Sequence, residues 1–365
     1  MLLSSLQRFT VLLASWVRRL GTRTGNWLVA SPRLKPWFYP PLKVETPAEK
    51  YREFNGYYFA DIHEQERMLG DEPRMEFYHR AIRRHIKPGQ RVIDLGTGTG
   101  ILAAYASRQG ASQVYAIDHS TIIEHAKELA AENGIENVQF EDLHSTDFHV
   151  DEPVDVILHE QIGDFLFDEA MVPNVCDLRD RVLKPGGLIL PSLFELFCEP
   201  ITLHDDRRIP YIWELKDVHG FDFSSMERSR PENPEYYRLS SCDLHLVKHF
   251  IGAPAPVVAI DLHTVEENAL PPKVTFTREV CNAGMVDGLA VYMKARVDDD
   301  LELTSSPLEP GRAPHWGFRI LRLDQSRVEV GDTLKVTLDV GDWADPDTWQ
   351  WTCRKQPVDQ RGTVM

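Results

Sequence analysis

The feature that most constrains what this chain can fold into is Asp94-Leu-Gly-Thr-Gly-Thr-Gly100, a glycine-rich turn that closes the strand-like run Arg91–Leu95 and opens an apolar helical pattern from Ile101. Glycine lets the backbone turn tightly and lets a ligand approach with no Cβ in the way. The helix behind the turn offers unpaired N–H groups to an anionic group. A glycine-rich turn alone often marks nothing but a turn. This one lacks the Gly-Lys-Ser/Thr ending of a nucleotide P-loop, so a kinase or ATPase of that type is excluded.

The surrounding sequence supplies the context. Over residues 51–190 apolar runs read alternately as strands and helices: strand Arg91–Leu95, helix Ile101–Gln109, strand Val114–Ile117, helix Ile122–Asn133, strands Asn137–Phe140 and Val154–His159. That rhythm implies a parallel sheet covered on both faces. After Pro191 the rhythm changes. Leu289, Val291, Met293, Ala295 and Val297 alternate strictly, as do Leu334, Val336, Leu338 and Val340, the pattern of half-buried antiparallel strands. With Phe194–Leu203, Val257–Val265 and Lys273–Val280 they predict a sandwich or barrel over 191–353, ahead of a tail at 354–365.

Charge divides the chain differently. Of 40 basic and 56 acidic residues, residues 1–44 hold seven basic side chains and no acid, which leaves 33 basic residues and a balance of −23 over the rest. An acidic body repels nucleic-acid phosphates and attracts cationic partners, so no direct nucleic-acid binding is expected. Leu2, Leu6, Phe9, Leu13, Trp16, Val17 and Leu20 fall at helical spacing, and a Pro-rich linker completes the segment 1–50. This helix either docks on the body or lies on an anionic membrane surface. The five cysteines, Cys176, Cys198, Cys242, Cys281 and Cys353, are widely spaced with no CxxC pair, which argues against a disulfide framework and a zinc site and for a cytoplasmic protein.

Asp118 ends the second strand, 24 residues after Asp94. An acid there can take both ribose hydroxyls of an adenosine-containing cofactor. The alternative is a solvated strand-end carboxylate, which the glycine turn makes less apt. The pair fits NAD or S-adenosylmethionine; Asp-x-Gly-x-Gly-x-Gly and the block Arg181-Val-Leu-Lys-Pro-Gly-Gly187 favour the latter.

Four ordered motifs then resemble the protein arginine N-methyltransferase family over roughly residues 51–353. Met68-Leu-x-Asp71-x-x-Arg74 resembles the family's opening helix, and His159-Glu160-Gln-Ile-Gly-Asp-Phe-Leu-Phe-Asp-Glu169 its double-glutamate hairpin. Trp213-Glu-x-x-x-x-x-Gly-Phe-Asp222 resembles its dimerisation arm, and Pro314-His315-Trp316 its Thr-His-Trp segment. Gln65, Thr97 and Pro314 depart from residues common in the family. The resemblance implies a Rossmann-like S-adenosylmethionine-binding domain at 51–190, and a β-barrel domain at 191–353 with an inserted helical dimerisation arm near 203–226. It also implies a head-to-tail homodimer and methylation of arginine in proteins.

The chemistry is consistent with those residues. Arginine is a poor nucleophile, because its charge is delocalised and its pKa exceeds ~12. Two carboxylates gripping the planar guanidinium localise that charge and leave lone-pair density on one nitrogen. The sulfonium methyl is already activated, so positioning can supply ~7–11 kcal/mol of the barrier. By resemblance Glu160 and Glu169 clamp the substrate. Arg74 binds the cofactor carboxylate and pairs with Glu160, while Asp94, Gly96, Gly98 and Asp118 hold the cofactor. Asp142, His144 and Ser145 compete for the adenine contact. His315 pairs with Asp71 and helps carry the released proton, and Trp316 walls the arginine pocket. Met68 and Met171 match methionines of members that make asymmetric dimethylarginine. Two rivals remain on the same scaffold: a methyltransferase for a small guanidine or amine, and a non-catalytic cofactor-binding scaffold.

Overall fold

The computed structural model describes residues 55–243 and 245–357. The amphipathic and basic segment expected at 1–50 and most of the 354–365 tail lie outside the described residues. Among the described residues no helix is long and apolar enough to cross a membrane, and no group of side chains is arranged to hold a metal ion.

Two helices, α1 (Ile62–Leu69) and α2 (Glu72–His85), precede the first sheet. The Met68–Arg74 motif is the joint between them. Asp71 caps α2, its Oδ1 accepting from the Arg74 amide at 3.1 Å, and Pro73 follows in the first turn, where its missing N–H costs nothing.

Strands β1 (Arg91–Leu95), β2 (Gln113–Asp118), β3 (Val138–Asp142), β4 (Val154–His159) and β5 (Leu183–Leu190) form a five-stranded parallel sheet in the order β3-β2-β1-β4-β5. Helices α3 (Ile101–Arg108), α4 (Ile123–Glu132) and α5 (Met171–Val182) make the crossovers. The chain winds outward from β1 through β3, then returns to place β4 on the other side of β1. This reversal opens a crevice at the carboxyl ends of β1 and β4, the usual ligand position in such sheets. Leu95 and His159 are register partners there, so the glycine turn and Glu160 emerge side by side.

The second half is antiparallel. β6 (Leu193–Leu203), β7 (Arg238–Ser241), β8 (Val247–Phe250), β9 (Val258–Asp261), β11 (Gly284–Asp298), β12 (Leu301–Thr304) and β13 (Phe318–Val328) form one sheet. β10 (Lys273–Glu279), β14 (Thr333–Val340) and β15 (Trp349–Lys355) form another. Ile251, Val280, Val286, Val328 and Leu334 join the two sheets, giving the barrel half the sequence predicts.

β14 alternates buried and open positions as expected, but β11 does not. Its residues from Val286 to Met293 are all buried. Leu289, Val291 and Met293 join the main core that continues into the parallel sheet, while Ala290 and Tyr292 pack with Phe197, Ile201 and Phe318 on the other face. The expectation of a half-buried strand fails because the intervening residues are apolar too. Between β6 and β7 the inserted arm holds only short 3-10 turns, Ile212–Glu214, Ser224–Ser229 and Pro234–Tyr237, and no α-helix.

Candidate active site

The glycine turn is built around Asp94. Gly100 caps α3 without a side chain, and the Asp94 carboxylate takes over that work: Oδ2 accepts from the Ala103 amide at 2.9 Å and from the Thr97 hydroxyl at 2.6 Å. Asp94 is wholly buried, and burial raises its carboxyl to about 6 against the pull of those two bonds. It therefore shapes the pocket from behind. Gly96 and Gly98 have φ of 72° and 54°, a region that favours glycine, and a Cβ on Gly98 would meet Gln65 Oε1 at 3.0 Å.

Asp118 stands at the end of β2, as predicted, but its carboxylate is largely occupied. Oδ2 accepts from the Gly98 amide at 2.9 Å, and Oδ1 from the Ser120 amide at 2.8 Å and the Ser120 hydroxyl at 2.7 Å. A carboxylate offers about four acceptor directions. The expected grip on two ribose hydroxyls therefore requires Gly98 or Ser120 to release one. Of the competing adenine-end residues, Asp142 ends β3 in register with Asp118 and is exposed, whereas Ser145 is buried in a 3-10 turn. Arg181 fixes that turn, donating to the Ser145 and Phe148 carbonyls at 2.9 and 2.6 Å.

The two glutamates follow β4. Glu160 receives Arg74 in a bidentate pair, Nε to Oε1 at 3.2 Å and Nη2 to Oε2 at 3.0 Å, and Arg74 Nη1 donates to the Met68 carbonyl at 2.7 Å. The hairpin from 160 to 169 is closed by a bridge between Gly163 and Leu166, with positive φ at Leu166 and Ala170. Phe165, Leu166 and Phe167 are buried, with Phe165 edge-on to Trp349 and Phe167 edge-on to Trp343. The Trp316 indole donates to the Ile162 carbonyl at 2.6 Å, and Arg319 pairs with Asp164. Burial raises both glutamates above the ordinary carboxylate range. For Glu160 the Arg74 guanidinium opposes the shift; for Glu169 the charges of Glu160 and Asp168 add to it and drive it well above. The hairpin thus holds two carboxyls that repel each other beside the Arg74 guanidinium.

His315 and Asp71 come together differently from the pairing that the resemblance implies. Asp71 Oδ2 accepts from the His315 backbone amide at 2.8 Å, not from the imidazole, whose Nδ1 is buried without a hydrogen-bond partner. Asp71 already caps α2, so its carboxylate ties the α1–α2 joint to the His-Trp loop. Burial, with Arg74 nearby, lowers His315 to about 4, so the ring is neutral at neutral pH. Met68 and Met171 are buried at the ends of α1 and α5, and Trp316 lies with Arg74 5.7 Å from its ring centre.

Three neighbours of the site were not assigned from the sequence. Tyr58 is near enough to Glu64, Arg67 and Glu169 to feel their charges. His159 is fully buried, its Nε2 bonded to the Pro191 carbonyl at 2.8 Å and its own carbonyl accepting from the Tyr78 hydroxyl at 3.2 Å, so it anchors the strand end that carries Glu160. Gln161 lies beside Gly96, with Cγ 3.9 Å from where a Cβ on that glycine would be. A polar residue next to a motif acid has no spacing signature, and only the burial of its amide oxygen makes it conspicuous.

Comparison with known proteins bears on this geometry. The family model for ribosomal protein L11 methyltransferase (PrmA) matches residues 75–192, from α2 to the end of the parallel sheet. Protein arginine N-methyltransferase 6 of Xenopus tropicalis is 30% identical over 290 residues, spanning 77% of this chain and 84% of that protein. Protein arginine N-methyltransferase PRMT10 of Oryza sativa subsp. japonica is 31% identical over 323 residues, 79% of this chain and 84% of that one. The crystal structure of Arabidopsis thaliana protein arginine methyltransferase 10 matches with a TM-score of 0.70 at 25% identity, covering 84% of this chain and 96% of that chain. With relatives of this identity along most of both chains, the chain belongs to the protein arginine N-methyltransferase family.

Proposed function

We propose that this protein transfers a methyl group from S-adenosyl-L-methionine to a guanidinium nitrogen of arginine in protein substrates, with Glu160 and Glu169 as the clamp. The observation that carries the reading is the pair of carboxyls on one braced hairpin, both held above their ordinary pKa by burial and Glu169 further by the charge of Glu160. A substrate guanidinium relieves the Glu160–Glu169 repulsion and leaves both carboxylates ionised.

The cofactor fits the crevice. The left-handed backbone at Gly96 and Gly98 keeps the floor free of side chains, and the buried amide oxygen of Gln161 beside it has no partner. Arg74 would face the cofactor carboxylate and Asp118 its ribose. When bound, S-adenosylmethionine supplies a sulfonium methyl that passes to the guanidinium nitrogen while the sulfur keeps the bonding pair and becomes a thioether. This chain's part is to align the nitrogen, exclude water with Trp316 and the buried hairpin, and leave the guanidinium proton an acceptor among Glu160, Glu169 and the neutral His315.

Met68 and Met171 at the pocket support mono- and asymmetric dimethylarginine as products. The −23 balance beyond residue 44 suits basic, Arg/Gly-rich substrates. A homodimer fits the exposed Ile209, Phe221 and Met226 of the arm and an apolar groove of about 180 Å³ lined by Ile101, Ala104, Tyr105, Leu129 and Phe140.

Labelled S-adenosylmethionine, offered with an Arg/Gly-rich peptide, its Lys-substituted twin and small guanidines, tests the reading. Label on the Arg peptide alone, resolved after hydrolysis as mono- and asymmetric dimethylarginine, is expected. Label on small guanidines alone replaces the substrate class, and none on any acceptor despite cofactor binding favours a scaffold.

A further inference from the structure

The Gln161 amide is a polar group in the crevice that the roles above leave without work. It directly follows Glu160, and its Cγ lies 3.9 Å from the position of a Cβ on Gly96, so it sits over the first glycine of the turn. Its Oε1 is buried and accepts no hydrogen bond. Buried acceptors are nearly always satisfied, because leaving one bare forfeits its hydration. A bare acceptor beside the first glycine of this turn points to a ligand donor that completes it.

The surroundings specify the donor. Glu160 is the common neighbour of Gln161 and Arg74, and Arg74 has little capacity left. Of its five N–H groups, two go to Glu160 and one to the Met68 carbonyl, and a fourth points at Met75 Sδ at 3.8 Å. One anionic contact is what Arg74 can still make. An α-amino acid carries its carboxylate and its ammonium on one carbon, so the group that takes the ammonium must stand close to Arg74 and be an acceptor. Gln161 follows Glu160, the partner of Arg74, and lies over Gly96 with a bare acceptor; being uncharged, it adds no third carboxylate to Glu160 and Glu169.

We propose that the Gln161 side-chain amide is a cofactor contact, its Oε1 accepting a hydrogen bond from the α-ammonium of the amino-acid moiety of S-adenosyl-L-methionine. This rests on the cofactor reading above. It makes Gln161 a recognition residue for the amino-acid end, opposite in sign to Arg74. The methyl is unaffected in charge or bonding by this contact; its effect is to fix the sulfonium's tether.

The test is calorimetric and needs no turnover. The full-length protein, as wild type, Gln161→Leu and Gln161→Asn, is titrated with S-adenosylhomocysteine, with its analogue lacking the α-amino group, and with its analogue lacking the carboxylate. The wild type should bind the deamino analogue roughly tenfold or more weakly than the parent, as for a lost hydrogen bond to a charged group. Gln161→Leu should weaken the parent and the decarboxylated analogue by a similar factor and leave the deamino analogue unchanged. The shorter amide of Gln161→Asn should fall between the two, which also guards against a misfolded Leu variant. Equal weakening of parent and deamino analogue by Gln161→Leu would overturn the proposal, as would a loss confined to ligands that keep the carboxylate. Failure of the wild type to bind S-adenosylhomocysteine at all would instead remove the cofactor reading beneath it.

Discussion

Glu169 serves two opposed ends at the residue scale. Its carboxyl is raised well above the ordinary range by burial, by Glu160 and by Asp168, so the substrate-free fold disfavours its ionised form. A carboxyl with a raised folded-state pKa stabilises the fold below its unfolded pKa and loses that contribution as pH rises through the folded value. Glu169→Gln should therefore raise Tm at pH 8 by about 2 °C or more, while lowering methyl transfer at least ~100-fold. A scanning calorimeter and the transfer assay check the two halves, and an unchanged or lower Tm at full activity would contradict both. Affinity for an arginine peptide should improve with pH through the same titration, because only the ionised carboxylate grips the cation.

His159 has the opposite sign. Burial lowers it from 6.5 to about 4, so its contribution to stability is present above pH 6.5 and lost as pH falls through 4. In full this is about 3 kcal/mol. His159→Asn keeps a donor for the Pro191 carbonyl, and urea melts at pH 7 and 4.5 should show a smaller acid loss in the variant than in the wild type. These residues also mark how far the sequence alone reaches. Glu160, Glu169 and Arg74 were legible because their order and spacing form a motif. The work of His159 and Gln161 was not, since a buried histidine and an orphaned amide are defined by what surrounds them after folding.

Single interactions gain their effect at the scale of elements from the pieces they join. The hairpin is attached to the barrel half by the Trp316–Ile162 bond, Phe165 on Trp349 and Phe167 on Trp343. Trp316→Phe retains the ring but leaves the buried Ile162 carbonyl bare, a cost of ~1–3 kcal/mol. Turnover should fall about tenfold or more with S-adenosylhomocysteine affinity unchanged. A parallel fall in cofactor affinity would show that the loop bond serves the crevice rather than the clamp. The parallel strands were readable from short apolar runs and the glycine turn. The two-sided burial of β11 was not, because its alternating large residues mask the apolar Ala290 and Tyr292 between them. Asp71 was placed in the site, yet its link to His315 runs through backbone, which no side-chain motif specifies.

The two halves of the whole molecule share one apolar cluster running from Val92 and Ile157 through Phe194 to Val291 and Trp316. The glycine turn and the clamp hairpin leave that cluster side by side, at the adjacent ends of β1 and β4. The arm rests on β13, whose Arg322 lies 3.8 Å from the Tyr211 ring centre and donates to the Ile209 carbonyl at 3.0 Å. Trp213 is buried in its own chain, stacked on Tyr211 at 4.5 Å, and the arm's exposed apolar residues are Ile209, Ile212, Val218, Phe221 and Met226. Phe221→Asp should convert a dimer to a monomer in light scattering and lower activity, with Tm of the monomer little changed. A dimer persisting at micromolar concentration would place the contact elsewhere.

The central claim is that two carboxylates on one hairpin grip an arginine guanidinium. It is tested most directly by single-turnover methyl transfer to an Arg/Gly-rich peptide in wild type, Glu160→Gln and Glu169→Gln, with S-adenosylhomocysteine affinity measured on the same preparations. The account predicts at least ~100-fold slower transfer in each variant, with Glu169→Gln keeping wild-type cofactor affinity. Transfer within tenfold of wild type in Glu169→Gln, on folded protein that binds cofactor normally, would contradict the two-carboxylate clamp.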